Sequence, residues 1–235
     1  MTLTLKSTVF FSALLLGWTG LQAQSIKRID IVSFNEVYIG GNFNVEITDD
    51  KTKHIVLEGN QEAIDEIEVS LRNNKLQIEK KRNSWWRSGY KGGRVSVQIP
   101  ATQLNAMYLS GSGSLKGTIH ASDNLKLVVS GSGSFNASIE GAEDINSTIS
   151  GSGDITISGS CEHLKLQVSG SGSLRAEDLS TKTAEVKIAG SGNARLNVSE
   201  RLMASVAGSG NVIYYGNPSK VEKSVAGSGR IRSAN

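Results

Sequence analysis

Cysteine is nearly missing: Cys161 is the only one in 235 residues, so an internal disulfide is excluded and the lone thiol reads as a small buried hydrophobe. Proline is as scarce, with two copies, which rules out collagen-like and Pro-rich extended chains. A dominant charge is lacking too. The formal net charge is +3, too small for the global basic field that favours nucleic acid, and no nucleic-acid partner is expected. The three histidines, His54, His120 and His163, lack ligand-like spacing, and Cys161-Glu162-His163 would need ligands from elsewhere to hold a metal. Neither a metal nor a cofactor is expected.

Long hydrophobic runs are missing beyond the N-terminus. There, Lys6 precedes the apolar stretch Val9 to Leu16, and Leu21-Gln22-Ala23 forms a small-residue cleavage site before Gln24. Residues 1–23 therefore read as a signal peptide of an exported protein. The apolar stretch is too short for a confident span of the roughly 20 residues that a bilayer requires, so no transmembrane segment is expected in the mature chain. Gln24 offers no cysteine for a lipid anchor. The expected location is the periplasm or the outer cell surface.

Glycine is abundant, with 26 copies. Gly-Ser-Gly occurs seven times, beginning at residues 111, 131, 151, 170, 190, 208 and 227, which are 18 to 20 residues apart. Two positions before each first glycine stands an aliphatic residue: Leu109, Val129, Ile149, Val168, Ile188, Val206 and Val225. Four positions after it stand Leu115, Phe135, Ile155, Leu174, Ala194, Val212 and Ile231. Around these anchors apolar and polar residues alternate, the period-2 mark of a strand with one buried face, which a flexible Gly/Ser linker would not carry.

Each unit is thus strand, tight corner, strand, looser corner. One such unit cannot bury its own apolar face, whereas parallel rungs stacked roughly 4.8 Å apart turn equivalent aliphatics into columns of one core. The fold expected is all-β, a right-handed parallel β-helix (solenoid) with about seven Gly-Ser-Gly-cornered rungs over residues 101–235. The position before the corner, Ser110, Ser130, Ser150 and Ser169, then Ala189, Ala207 and Ala226, is expected to be small because the corner is packed.

Residues 24–100 form a strand-rich N-terminal β unit expected to cap the solenoid. Its strands read as Ile29–Val32, Phe43–Ile47, His54–Glu58, Lys75–Glu79 and Val95–Ile99, with turns at Gly40-Gly41 and Asn73-Asn74. A short helix with Asn60 as its cap is expected over residues 60–67. Both a separate small unit and irregular early rungs of the same solenoid fit this pattern.

The strand and proline of Val95-Ser-Val-Gln-Ile-Pro100, then Leu104-x-x-Met107-x-Leu109-Ser-Gly-Ser-Gly113 and the repeated Val-Ser-Gly-Ser-Gly units, resemble the exported family named putative auto-transporter adhesin, head GIN domain. The resemblance covers nearly all of the mature chain and implies a β-helical fold in a cell-envelope setting.

The segment Lys80–Arg94 carries six basic residues and three aromatics without an acid. It is the candidate ligand-binding surface. Trp85, Trp86 and Tyr90 are suited to stacking on sugar rings, and Arg87 and Lys91 to meeting carboxylates or phosphates. The competing reading is a hairpin whose tryptophans fold back to pack. A second candidate is the row Asp123, Glu143, Glu162 and Glu200, eight positions before their corners and interrupted by Lys182. Stacked carboxylates suggest a glycosidase pair, but a polar row at a loose corner is expected in any case, and no catalytic residue is assigned. The residue after Gly-Ser-Gly is an aspartate only at Asp154, which excludes a calcium-binding nonapeptide solenoid. The sequence therefore points to a non-enzymatic binding module contacting polysaccharide or anionic lipid headgroups. The alternative is a structural protein that self-associates through solenoid edges, the last rung near Ile231 being uncapped.

Overall fold

The computed structural model describes residues 7–9, 24–48, 53–81, 94–100 and 102–234. The expected signal peptide lies outside the described residues except for Ser7–Val9. The N-terminal elements are β1 (Ser7–Val9), β2 (Ser25–Asp30), β3 (Glu36–Gly41), β4 (Asn44–Thr48), β5 (His54–Gly59), helix α1 (Gln61–Asp65), β6 (Ile67–Arg72), β7 (Lys75–Lys80) and β8 (Ser96–Pro100). The repeats follow as β9 (Gln103–Gly111), β10 (Ser114–Gly131), β11 (Ser134–Glu140), β12 (Asp144–Gly151), β13 (Asp154–Gly170) and β14 (Ser173–Gly190). Last come β15 (Asn193–Gly208), β16 (Asn211–Tyr215), β17 (Lys220–Gly227) and β18 (Arg230–Ser233). All belong to one hydrogen-bonded sheet wound into a parallel β-solenoid.

The columns read from the sequence are the columns of the core. Val129 pairs with Ile149, Ile149 with Val168, Val168 with Ile188 and Ile188 with Val206, and each of these is buried. After the corner, Leu115, Phe135, Ile155, Leu174, Ala194 and Val212 stack in the same way. Cys161 is buried and bonds Thr181 Oγ1 at 3.4 Å. Burial pushes its thiol pKa up, so it behaves as a packing residue and not as a reactive thiolate.

The corners hold the register. Their first glycines have φ from +107° at Gly131 to +130° at Gly208, the region open to glycine. The second glycine is required by contact: a Cβ on Gly172 would lie 2.2 Å from the Gly153 carbonyl oxygen and 2.5 Å from Ile149 Cγ2. Corner serines donate their backbone N–H to the preceding rung, as from Ser171 to Gly151 and from Ser191 to Gly170, at 2.8 and 2.9 Å. One expectation is corrected here. The small residue before the corner does not pack: Ser150, Ser169, Ala189 and Ala207 point outward and are exposed. The glycines do the packing.

Residues 24–100 join the stack. β3 runs parallel to β9 with Gly41 opposite Gly111, and β4 runs parallel to β10, so Gly41-Asn42-Phe43 is a corner without the tripeptide. β7 and β8 lie parallel to β3 and β4 as one further rung. Beyond it the direction reverses, with β6 antiparallel to β7 and β5 antiparallel to β8. Helix α1 connects β5 to β6, with the Asn60 side chain accepting from the Glu62 N–H at 2.8 Å. At the hairpin between β6 and β7, Asn73 and Asn74 have φ of 50° and 61°, the pair of positive values that a type I′ turn needs.

The opposite end closes differently. β17 and β18 are the last rung, and Val225 is 43% exposed where its column partner Val206 is buried. Lys223 occupies the core column of Ala204 and Val186, and its ammonium lies 4.9 Å from the Tyr214 ring centroid. Ser233 ends the column of Leu196 and Tyr214. An inward-pointing cation makes an edge a poor template for a further strand.

Two predictions follow from this packing. Gly172→Ala costs about 1–3 kcal/mol through overpacking, read as a fall in Tm by circular dichroism, while Ser171→Ala at the exposed tip leaves Tm unchanged; equal melting of both would refute the role given to the second glycine. Lys223→Leu makes the last rung apolar and gives concentration-dependent association in sedimentation velocity; a variant that sediments like the parent chain would show that Lys223 does not guard this edge.

Candidate functional site

The five residues singled out from the sequence, Trp85, Trp86, Arg87, Tyr90 and Lys91, lie outside the described residues, but both anchors of their segment are described. On one side Lys81 donates its backbone N–H to the Glu66 carbonyl at 2.9 Å, and on the other Asn44 donates its N–H to the Val95 carbonyl at 3.0 Å. β7 and β8 flank the segment as β3 and β4 flank Gly41-Asn42-Phe43. Residues 82–93 therefore stand in the chain where other rungs have their tight corner.

Next to this departure point lies a pair of aromatics that sequence reasoning missed. Tyr38 and Tyr108 are 70 residues apart in sequence and direct register partners on β3 and β9. Gln77 of β7 pairs with Tyr38 from the other side. Strand alternation turns both tyrosines outward, away from the buried Val37, Ile39, Met107 and Leu109. Lys75 Nζ lies 4.1 Å from the Tyr108 ring centroid and 5.7 Å from that of Tyr38, and Lys126 Nζ lies 5.5 Å from that of Tyr108. Glu36 approaches Lys75 at 3.8 Å. Each cation–π contact at such a half-exposed site is worth about 0.5–1 kcal/mol, enough to hold two ammonium groups over the pair. Beside Tyr108 a groove of about 350 Å³ runs toward the loose corner, lined among others by Glu36, Asn105, Ser122, Asp123, Asn124 and Lys126. Aromatic surface beside a polar groove that carries both cations and carboxylates suits a sugar. The signal for this cluster was spatial. Nothing in the local sequence around Tyr38 or Tyr108 pairs them until the register of β3 against β9 is known.

The acidic row does stack at the loose corner. Glu143 donates its backbone N–H to the Asp123 carbonyl and Glu162 donates its own to that of Glu143, both at 2.8 Å. Every member is exposed, and Lys182 Nζ bonds Glu162 Oε1 at 2.5 Å. That hydrogen bond lowers the Glu162 pKa, the reverse of what a general acid needs. The histidines are dispersed: His54 faces Asp30 at 2.5 Å, His120 faces Glu140 at 3.1 Å, and His163 bonds Thr183 at 2.7 Å. Among the described residues no group of three or more His, Cys, Asp or Glu side chains is arranged to hold a metal ion. Likewise, no helix among them is long and apolar enough to cross a membrane.

Comparison with known proteins agrees with this architecture. No curated protein sequence matches the chain. Among solved structures, a putative adhesin from Bacteroides fragilis superposes with a TM-score of 0.78 at 22% identity, over 92% of this chain and 100% of that one. A putative lipid binding protein from Parabacteroides distasonis gives 0.69 at 21% identity, over 90% and 97%. A putative adhesin from the same species gives 0.68 at 22% identity, over 92% and 98%. These likenesses establish a shared fold. Residues 33–218 match one family along most of their length, and the chain belongs to it: putative auto-transporter adhesin, head GIN domain.

Proposed function

We propose that this protein is a non-enzymatic, adhesin-like binding module of the cell envelope or cell surface, and that it contacts glycans or other anionic envelope components through the 80–94 segment. Trp85, Trp86 and Tyr90 stack on sugar rings, while Arg87 and Lys91 meet carboxylates or phosphates. One observation carries the reading: Lys81 and Val95, the described residues that bound the aromatic, basic segment, belong to the rung beside Tyr38, and Lys75 and Lys126 flank Tyr38 and its partner Tyr108. The segment is thus anchored at the end of the solenoid that carries this described aromatic and cationic cluster. The naming of the family and of its structural neighbours as adhesins or binding proteins supports the same class. The lowered pKa of Glu162 argues against acid catalysis at the carboxylate row. Lys223 in the last core column weighs against the alternative of self-association through that edge.

The test is binding of residues 24–235 to oligogalacturonate, to a neutral oligosaccharide and to anionic phospholipid vesicles, at low and physiological salt. Trp85→Ala with Trp86→Ala is expected to weaken binding at least tenfold while Tm stays nearly unchanged, and Tyr38→Ala with Tyr108→Ala to weaken it severalfold. A large loss of Tm in the tryptophan variant would mean that these rings pack against the body. Absence of binding by the parent chain to all three probes would overturn the proposal.

A further inference from the structure

The other sheet face, at the other end of the solenoid, carries a trough that the proposed function does not use. Its walls are two neighbouring outward columns. One column is Ser173, Asn193, Asn211 and Arg230, and the other is Arg175, Arg195, Ile213 and Arg232. Between them lies a space of about 570 Å³ with Leu174 and Ala194 in its floor. Four successive rungs contribute, so the trough extends about 14 Å along the axis at roughly 4.8 Å per rung.

The two walls differ in chemistry. Asn211 Nδ2 donates to Asn193 Oδ1 at 3.0 Å, so the amide wall is pre-aligned and keeps donors and acceptors for hydroxyl groups. The guanidinium wall is under-neutralised. Arg175 has Asp154 and Arg195 has Glu177, both at 3.9 Å, too long for a bidentate pair. Arg230 and Arg232 have no carboxylate partner among the described residues. Half-buried Ile213 sits in the cationic column between Arg195 and Arg232, an apolar step against which the C–H face of a sugar ring packs.

We infer that this trough binds a linear acidic polysaccharide, lying along the solenoid axis with its carboxylate or sulfate groups on Arg195, Arg230 and Arg232. Shape decides between anionic occupants. A free phosphate would engage one or two guanidinium groups and leave the amide wall unused. A phospholipid would need an apolar cleft for its chains, which one isoleucine does not supply. An extended chain of sugar rings advances by about one rung per residue, so hydroxyls meet Asn193 and Asn211 while charges meet Arg195, Arg230 and Arg232 and one ring packs on Ile213. This site is independent of the 80–94 segment.

The experiment is calorimetric titration of residues 24–235 with an oligogalacturonate and with a heparin-type hexasaccharide, alongside inorganic phosphate and anionic vesicles as contrasts. In the Trp85→Ala, Trp86→Ala background, Arg195→Gln with Arg232→Gln is expected to weaken the oligosaccharides at least tenfold and flatten the salt dependence. Lys116→Gln, on the same face but paired with Glu46 at 3.0 Å, leaves binding unchanged. In the Trp85→Ala, Trp86→Ala background the arginine-dependent component persists, so failure of this trough and failure of the 80–94 site give different patterns. Oligosaccharide binding indifferent to the two arginines, or phosphate or vesicles binding as tightly as the oligosaccharides through them, would overturn the assignment.

Discussion

Backbone touches backbone at every tight corner of this solenoid, and the rest of the structure depends on that contact. The first glycine adopts a conformation that other residues avoid, and the second leaves no room for a Cβ against the carbonyl of the rung before it. Corner N–H groups spend their hydrogen bonds on the preceding corner. The register of a strand with one buried face is already specified, since a slip of one residue would expose its apolar side chains. Here it is specified twice, by core columns and by corners. A closed winding of this kind also leaves only two ends where strand edges need protection.

Fixed register turns outward side chains into linear arrays at rung spacing. An array does what a single residue cannot, because weak contacts repeated at a matched interval add along an extended ligand. The arrays here differ in how far they neutralise themselves. The acidic row at the loose corner is interrupted by Lys182, which bonds Glu162. The two columns of the trough end in Arg230 and Arg232, guanidinium groups without carboxylate partners among the described residues. Tyr38 and Tyr108 form the shortest array, two rungs long, with lysines over the rings.

The seven repeats were legible because their signal is local: a tripeptide, an aliphatic residue two positions before it and another four after. The Asn60 cap and the Asn73-Asn74 turn were legible for the same reason. Strands β3 and β6 were not found. Phe43 disguises the corner that closes β3, and the exchange of direction at β6 depends on pairings that no short window contains. The small residues before each corner were read as packed because smallness and burial usually go together; the structure turns them outward, and the constraint belongs to the glycines beside them. The candidate site divides in the same way. Composition alone marked the 80–94 segment, whereas Tyr38 with Tyr108, and Arg195 with Arg232, are neighbours only through the winding of the chain.

Phe43 explains why the long insertion is tolerated where it is. In a repeat corner the second glycine is needed because the preceding rung's carbonyl occupies the space of a Cβ, as Gly113 meets Phe43 O and Gly133 meets Gly113 O. The rung preceding Phe43 is β7 and β8, whose connection is the long 81–95 segment and not a glycine corner. With no glycine corner required beneath it, the position accepts a phenylalanine, which is buried in the core. An insertion within a strand would break the ladder, and one at a middle corner would forfeit glycine contacts both above and below. On the other side of the β7 and β8 rung lie antiparallel strands joined through α1. Only one corner contact is therefore lost, and both flanking strands keep their parallel partners. The aromatic and basic residues therefore stand in the chain at an end of the stack, where interrupting the series of corners costs a single corner contact.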